Sequence, residues 1–335
     1  MEYQNTLQGD KIQCTICPRN CKLAEGQTGF CHVRKNIKGK VTLTAYGYNT
    51  GLAIDPIEKK PLFHFYPGSK VLSFGTLGCN LGCQFCQNWH ISKSKADVKL
   101  LNHNMPEEIA QMAVKYGCKS VAFTYNDPVV FFEYAIDTAK ACHAKGIKTV
   151  AVTAGFFNPE PRKEFFKYID AVNVDLKGFT EKFYQKNCLA HLEPVLDTLR
   201  YIKDKTHCWL EVTTLLIEGE NDSDEELAAE CEWIVKHLGI NVPVHFSAFH
   251  PDYKMMNKGI TKLSTLKKAY DIAKKAGIKY VYTGNALDEG TETTYCFACK
   301  HPVIKRTGYE ITEYDLTKEG NCVYCFEQCA GVFGI

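Results

Sequence analysis

The sequence predicts an α/β protein built around a partial (β/α)6 barrel of the TIM type, with small cysteine-rich, metal-binding appendages at both ends. Between about residues 70 and 285, short apolar runs alternate with longer segments of helical period, the pattern of βα units on a parallel sheet. The alternation stops on both sides, where each end segment carries its own group of cysteines. We therefore expect a cysteine-rich segment over 1–69, the barrel over 70–289 and a ribbon-like segment over 290–335.

Seven short runs rich in β-branched or aromatic residues predict the barrel strands, the last run being the least regular. Polar and acidic residues at 105–108 and 221–226 suit the N-termini of two of the intervening helices. The predicted strands are 71–74, 120–125, 148–153, 171–176, 209–217, 244–249 and 279–283.

Composition narrows the classes of function. The 335 residues include 40 basic and 38 acidic side chains, a formal net charge of +2, so charge gives no reason to expect a nucleic acid or an anionic membrane as partner. No run approaches the roughly 20 apolar residues that span a bilayer, and the first residues lack the apolar core of a secretion signal. We therefore expect a cytoplasmic protein.

Seventeen cysteines are the unusual feature of the composition. In a protein without an export signal, cysteines indicate metal ligands before disulfides. Twelve of them fall into three tight groups, which supports this interpretation. The five scattered ones are expected to be small buried core residues; they are Cys118, Cys142, Cys188, Cys208 and Cys231.

The central group, Cys79-Asn-Leu-Gly-Cys83-Gln-Phe-Cys86, directly follows the first predicted strand. One loop at the carboxyl end of the sheet, where barrels place their chemistry, thus carries three thiols. Thiolates select zinc or iron–sulfur centres, and a four-iron, four-sulfur cluster held entirely by protein takes four cysteines. Three would leave one iron open. Zinc stays an alternative, because short cysteine motifs also build zinc sites.

This CxxxCxxC spacing, with an aromatic residue before the last cysteine, resembles the radical S-adenosylmethionine (SAM) superfamily. The resemblance implies a 4Fe-4S cluster on Cys79, Cys83 and Cys86 as the catalytic centre. It also implies that SAM chelates the open iron and is cleaved reductively to a 5′-deoxyadenosyl radical. Phe85 stands where the superfamily usually has an aromatic side chain beside the adenine, although it is also suited to ordinary packing.

Polar residues follow several predicted strands at the same edge of the sheet. Asn126 and Asp127 stand where relatives of pyruvate formate-lyase activase carry a Gly-Gly-Glu-Pro-like segment that receives the SAM ammonium, and the glycines are absent here. An amide or carboxylate oxygen suits an ammonium. A plain turn begun by Asn-Asp-Pro is the alternative.

Two further strand ends resemble the same activases. Asp175 and Lys177 match an Asp-x-Lys pair beside SAM, and a surface ion pair is the alternative. His250 matches a strand-end histidine near the ribose, with a structural histidine as the alternative. Asn285 is a weaker candidate.

The N-terminal group places Cys14, Cys17, Cys21 and Cys31 within 18 residues. Four cysteines at such spacing suit a tetrahedral zinc site that would order a short loop-rich segment. They also suit a second iron–sulfur cluster. Redox-active or free thiols remain the third interpretation.

The C-terminal group pairs Cys296 and Cys299 with Cys322 and Cys325 across 22 residues. Paired CxxC units of this kind predict a metal ribbon. Spacing does not separate zinc from rubredoxin-like iron, and Cys329 is a possible replacement ligand. Because few basic residues lie nearby, a nucleic-acid-binding ribbon is the weaker use.

From end to end, these features resemble the radical SAM enzymes of the AmmeMemoRadiSam system, which are similar to pyruvate formate-lyase activating enzyme. The resemblance implies an electron donor such as flavodoxin or ferredoxin, association with Memo-type and Ammecr-type proteins, and glycyl-type hydrogen abstraction from a protein partner. Radical modification of a small molecule or of another protein residue stays open. From another class, a non-catalytic zinc-binding interaction module is the competing hypothesis.

Overall fold

The computed structural model describes residues 3–9, 11–286 and 288–334. Its strands, in chain order, are β1 (Gln4–Thr6), β2 (Ile12–Cys14), β3 (Lys22–Leu23), β4 (Arg34–Ile37), β5 (Lys40–Leu43), β6 (Tyr48–Pro56), β7 (Lys70–Gly75), β8 (Asn102–His103), β9 (Ser120–Phe123), β10 (Lys148–Thr153), β11 (Ala171–Asp175), β12 (Trp209–Leu216), β13 (Val244–Ala248), β14 (Val281–Gly284), β15 (Thr294–Tyr295), β16 (Pro302–Thr307) and β17 (Glu310–Tyr314). Its helices are α1 (Trp89–Ser92), α2 (Pro106–Lys115), α3 (Phe132–His143), α4 (Pro159–Phe165), α5 (Glu181–Phe183), α6 (Glu193–Lys205), α7 (Asp224–His237), α8 (Leu263–Ala276) and α9 (Glu289–Glu292).

The central sheet contains seven parallel strands, β7 and β9 to β14, each pairing with the next one along the chain. Strands β6 and β8 extend it as an antiparallel edge beside β7. Helices α2, α3, α4, α6, α7 and α8 lie between successive parallel strands in the chain, and the right-handed crossovers typical of such βα units put the connecting helices on one face of the sheet. Among the described residues, β7 and β14 do not pair. The predicted α/β partial barrel is therefore confirmed, with β14 as its seventh parallel strand.

The predicted strands agree with the structure to within two residues at each end. Helix starts follow the expected capping chemistry. At the start of α2, the Met105 backbone N–H donates to the Glu108 carboxylate at 2.7 Å. At the start of α7, the Ser223 hydroxyl accepts a hydrogen bond from the backbone N–H of Glu226 at 3.2 Å.

The N-terminal segment is continuous with the barrel in its packing. Its strand β6 is part of the central sheet. The side chains of Ile12, Ile16 and Val33 belong to the same buried core as that of Phe74 on β7. This segment therefore shares the sheet and the hydrophobic core of the barrel.

The C-terminal strands β15 to β17 form a separate antiparallel sheet. This sheet docks through the buried guanidinium of Arg306, which donates to the Phe63 carbonyl at 2.8 Å and to the Thr294 hydroxyl at 2.9 Å. The backbone N–H groups of Phe63 and His64 in turn donate to the buried Glu211 carboxylate of β12, at 3.0 and 2.8 Å. A polar network thus joins this sheet to the barrel.

None of the helices in the described part of the chain has the length and apolar character needed to cross a membrane.

Candidate functional site

The loop that follows β7 carries Cys79, Cys83 and Cys86 at the carboxyl edge of the parallel strands. The Sγ of Cys79 accepts a hydrogen bond from the Leu81 backbone N–H at 3.4 Å. The Sγ of Cys86 lies 3.1 Å from the Ser92 hydroxyl. All three thiols line one cleft, so they face a common space.

The spacing of these three sulfurs argues against a single ion. Zinc–sulfur bonds of about 2.3 Å in a tetrahedron put ligand sulfurs about 3.8 Å apart. Among the described residues, only the C-terminal cysteines form a set of three or more metal-ligand side chains whose ligand atoms all lie within 4.8 Å of one another. At least one pair of the Cys79, Cys83 and Cys86 sulfurs is therefore farther apart, as expected when several iron atoms separate the ligands.

Burial and neighbouring groups act differently on these thiols. Burial raises the pKa of Cys79 to about 12. A hydrogen bond with the Cys188 thiol, helped by the positive charge of Lys177, lowers the pKa of Cys83 to about 7. Cys188 is buried as expected for a core cysteine, but its contact with Cys83 was missed. A metal centre binds thiolates and releases their protons.

Asn126 fastens the loop that precedes the cysteines. Its Nδ2 donates to the carbonyl oxygens of Gly78 and Leu77 at 2.7 and 3.2 Å and to the Thr76 hydroxyl at 3.1 Å. Its Oδ1 accepts from the Thr76 backbone N–H at 2.9 Å. Both ends of this buried amide are thus used in holding the loop.

Asp127 is also occupied by the protein itself. Its carboxylate accepts hydrogen bonds from the Val129 and Ala154 backbone N–H groups, at 3.1 and 2.9 Å, and from the Thr153 hydroxyl at 2.9 Å. It therefore ties the ends of β9 and β10 together. This is the turn chemistry that the sequence left open as an alternative.

The cleft beside the three cysteines has a volume of about 450 Å³ and runs across the carboxyl ends of the parallel strands. Two buried oxygens in its wall, Oδ1 of Asn173 and Oγ1 of Thr213, have no hydrogen-bond partner among the described residues. Buried polar atoms are rarely left unpaired. These two side chains therefore offer unused acceptor oxygens in the wall of the cleft.

Asp175 and Lys177 line the same cleft and form an ion pair, with Nζ 3.2 Å from Oδ2. The Lys177 ammonium also lies 6.0 Å from the ring centroid of Phe85, the aromatic residue of the cysteine motif. Phe85 is itself buried and faces the cleft. An anion-binding group, a cation-binding group and an aromatic face thus adjoin the three thiols.

The two remaining predicted residues, Asn285 and His250, differ in their position relative to the cleft. Asn285 lines the cleft and donates from Nδ2 to the Ala248 carbonyl at 3.2 Å. His250 is exposed and is not among the side chains that line the cleft. Ser247, three residues earlier and within β13, does line it and was missed. Alternation along β13 is the signal that points to it, because Ser247 shares a face with the cleft residue His245.

A larger concavity, of about 640 Å³, lies at the opposite, amino-terminal end of the sheet, where Asp170 precedes β11. The charge of Asp170 is already balanced there, since His143 and Lys148 contact its carboxylate at 2.7 and 2.9 Å. This concavity holds none of the clustered cysteines. The cleft at the carboxyl edge is therefore the candidate active site.

The C-terminal cysteines have the geometry of a single-ion site. The sulfurs of Cys296 and Cys325 are 3.5 Å apart, and those of Cys299 and Cys322 are 3.7 Å apart. Both distances match the spacing of a tetrahedral thiolate site. Cys329 lies elsewhere, with its sulfur 3.7 Å from Nδ1 of His64, so it does not replace a ligand in this arrangement.

The N-terminal cysteines line one small cavity together with Arg19, Arg34 and Asn80. The N-terminal cysteines differ from the C-terminal ones in spacing, because no three of the N-terminal sulfurs lie within 4.8 Å of one another. These cysteines are Cys14, Cys17, Cys21 and Cys31.

Comparison with known proteins identifies the barrel. Residues 74–231 match the sequence profile of the Radical SAM superfamily. An uncharacterized protein of Methanocaldococcus jannaschii is 40% identical over 327 residues, which covers 97% of this chain and 97% of that protein. The match thus extends through both cysteine-rich ends.

Two relatives with named functions match over a shorter range. The 4-hydroxyphenylacetate decarboxylase activating enzyme of Clostridium scatologenes is 26% identical over 157 residues, 46% of this chain and 47% of that enzyme. The choline trimethylamine-lyase activating enzyme of Oleidesulfovibrio alaskensis is 24% identical over 167 residues, 50% of this chain and 49% of that enzyme. This chain therefore spans about half the length of either activating enzyme.

Among solved structures, a radical SAM methyltransferase from Sphaerobacter thermophilus superimposes with a TM-score of 0.52 at 15% identity, covering 66% of this chain and 68% of that one. At this identity the likeness concerns the fold.

Proposed function

Since this chain belongs to the radical SAM superfamily, we propose that Cys79, Cys83 and Cys86 hold its 4Fe-4S cluster and that SAM occupies the adjoining cleft. The observation that carries the proposal is that three thiols, spread more widely than the ligands of one ion, line a cleft of about 450 Å³. Membership in the superfamily supports an enzyme over the alternative of a non-catalytic zinc-binding module.

When bound, the cluster supplies the electron that splits SAM into methionine and a 5′-deoxyadenosyl radical, which takes a hydrogen atom from the substrate. The chain's own contribution is to bind and orient SAM. The unpartnered oxygens of Asn173 and Thr213 are hydrogen-bond acceptors for hydroxyl or ammonium groups. Phe85 offers a flat apolar face for the adenine.

Asp175 and Lys177 supply charges that complement those of SAM. The Lys177 ammonium suits the carboxylate of SAM, and the Asp175 carboxylate suits a cation or a hydroxyl. Both lie at the end of one strand, which fixes their separation. We propose that this pair sets the orientation of SAM relative to the three thiols.

In this proposal Asn126 and Asp127 position the cysteine loop and do not bind SAM through their side chains. Their side chains are occupied by hydrogen bonds to the cysteine loop and to the end of β10. They therefore position the loop beside the cleft that both residues line. His250, being exposed, has no assigned part in binding SAM.

We propose a protein as the substrate, activated by hydrogen abstraction from a glycine. The two relatives with named functions, both activating enzymes, support this choice. Flavodoxin or ferredoxin as electron donor, and association with Memo-type and Ammecr-type proteins, stay predictions.

Fractionation of a cell extract separates a protein from a small-molecule substrate. Anaerobically reconstituted enzyme with SAM and dithionite is supplied with either the macromolecular fraction or its ultrafiltrate, and 5′-deoxyadenosine is measured. Stimulation by the macromolecular fraction alone, lost after protease treatment, together with a carbon-centred radical on a protein by electron paramagnetic resonance (EPR), is the expected result. Stimulation by the ultrafiltrate contradicts the proposal. Cys83→Ala enzyme is the control for background cleavage.

We also propose that the C-terminal cysteines bind a structural zinc ion. Their sulfur separations of 3.5 and 3.7 Å support one tetrahedral ion. Four protein ligands leave no open position for a substrate, which is typical of structural zinc.

A further inference from the structure

We infer that Cys14, Cys17, Cys21 and Cys31 hold a second iron–sulfur cluster, which passes electrons to the centre at Cys79, Cys83 and Cys86. The inference rests on the proposed function, because it supplies that centre with its reductant. It assigns to the N-terminal segment a redox role in place of a purely structural one.

The first support is the geometry of the four thiols. They converge on one cavity, yet no three of their sulfurs come within 4.8 Å of one another. The C-terminal cysteines provide the comparison, because their sulfur–sulfur distances of 3.5 and 3.7 Å suit a single ion. Like Cys79, Cys83 and Cys86, the N-terminal cysteines are spread more widely than the ligands of a single ion, and four cysteines complete the ligand set of a cluster.

The second support is the charge around the cavity. Arg34 is buried and is paired with Glu133. Arg19 has no carboxylate partner among the described residues; its guanidinium donates to the carbonyl oxygens of Asn80 and Leu189. It thus brings an uncompensated positive charge into a cavity lined by four thiols. A cluster with four thiolate ligands is an anion and would be stabilised there.

The third support is the direct contact between the two cysteine groups. A Cβ placed on Gly78 would overlap the carbonyl oxygen of Cys31, so the two backbones touch. Cys79 follows Gly78, and consecutive Cα atoms are about 3.8 Å apart. Arg19 forms a second bridge, since it contacts the backbone of Asn80, the residue after Cys79. The N-terminal segment therefore contacts the residues immediately before and after Cys79, which places the two cysteine groups next to each other.

The proposed reaction gives the direction of electron flow. The centre at Cys79, Cys83 and Cys86 loses an electron each time SAM is cleaved, and the N-terminal centre has partly exposed ligands in Cys17 and Cys21. A one-electron protein donor of the flavodoxin or ferredoxin class therefore reduces the N-terminal centre first. That centre is then oxidised again as it passes the same single electron to the centre at Cys79, Cys83 and Cys86.

Metal analysis of the full-length protein tests the site. After anaerobic reconstitution we expect about eight iron atoms per chain, four for each cluster, and two cluster signals by EPR, of which SAM alters one. The double variant Cys17→Ala/Cys21→Ala should lose about half of the iron and keep the SAM-sensitive signal. The matched control is Cys142→Ala/Cys231→Ala, which removes two buried cysteines outside the groups and should keep all of the iron.

The relay is tested with two reductants. With reduced flavodoxin, the Cys17→Ala/Cys21→Ala variant should form 5′-deoxyadenosine roughly tenfold more slowly than wild type or slower still, while dithionite restores turnover. An unchanged rate with flavodoxin would overturn the relay.

The iron content and EPR signals of wild-type protein test the inference even if the double variant fails to fold. A single cluster signal with about four iron atoms, or zinc bound at the N-terminal group, overturns it. If that protein still cleaves SAM, the proposed function stands and only the inference fails. If neither cluster forms and SAM is not cleaved, both fail.

Discussion

Gly78 and Cys31 touch through their backbones, with the carbonyl oxygen of Cys31 occupying the space where a side chain at position 78 would begin. Gly78 also has a φ of +81°, in the left-handed region that favours glycine. Both the backbone conformation and the close contact with Cys31 therefore require glycine at position 78, the residue before Cys79. The N-terminal segment and the cysteine loop are fitted to each other at this point.

We predict that Gly78→Ala loosens the cysteine loop and lowers cluster incorporation. A left-handed alanine costs about 1 kcal/mol, and the overlap with Cys31 adds to that cost. The matched control is Gly117→Ala, which has a φ of +66° and no atom within 4 Å of its added Cβ. Urea unfolding and iron content after reconstitution are the measurements. Equal losses in the two variants would contradict the contact.

We predict that Lys177→Gln weakens SAM binding at least roughly tenfold, because a charge-assisted hydrogen bond to a carboxylate contributes about 1.5 to 3 kcal/mol. Equilibrium dialysis of reconstituted enzyme with labelled SAM measures the Kd, and iron content verifies that the cluster is intact. Lys167→Gln, which breaks a surface pair with Glu164 at the other end of the sheet, is the control. Wild-type affinity in Lys177→Gln enzyme would remove this residue from the SAM site.

We predict that Cys299→Ser abolishes zinc binding and leaves the barrel folded. Wild type should contain one zinc ion per chain, and the variant should be cleaved by protease within the C-terminal strands while retaining its iron. Cys329→Ser is the matched control, because this cysteine contacts His64 outside the metal set. Iron in place of zinc, or zinc retained by Cys299→Ser, would refute the structural zinc site.

We predict that Glu230→Gln stabilises the protein, and more so at alkaline pH. Burial raises the pKa of Glu230 from 4.5 to about 8, although the Thr214 hydroxyl donates to it. A carboxyl whose folded pKa is raised destabilises the folded state increasingly as pH rises from the unfolded pKa to the folded one. The gain from the substitution should grow by about 3 kcal/mol between about pH 5.5 and pH 8.5.

Urea unfolding at the two pH values measures this gain. Glu232→Gln, an exposed position on the same helix, is the control and should show no such growth. A gain in Glu230→Gln protein that is independent of pH would show that the Glu230 carboxyl does not titrate in this range.

Much of the fold was predictable because hydrophobic alternation is local. The β10 strand was expected at 148–153 and is Lys148–Thr153. The place of the three cysteines at the carboxyl edge follows from the same pattern, since a loop after a parallel strand must leave at that edge.

The partners of individual side chains were less predictable, because they come from distant parts of the chain. Asn126 was expected to receive a ligand; it lines the cleft, and its amide also bonds to the loop 50 residues earlier, a contact that the sequence did not predict. Cys188 was expected only in the core, and it also contacts Cys83 across about a hundred residues. Residue type and position at a strand end give no information about such contacts.

The most direct measurement of the central claim is the cleavage of SAM by anaerobically reconstituted protein. With dithionite and SAM, wild type should form 5′-deoxyadenosine and methionine in equal amounts, and Cys79→Ala, Cys83→Ala and Cys86→Ala proteins should form neither above background. Wild-type protein that holds its full complement of iron and sulfide yet releases no 5′-deoxyadenosine would contradict the account.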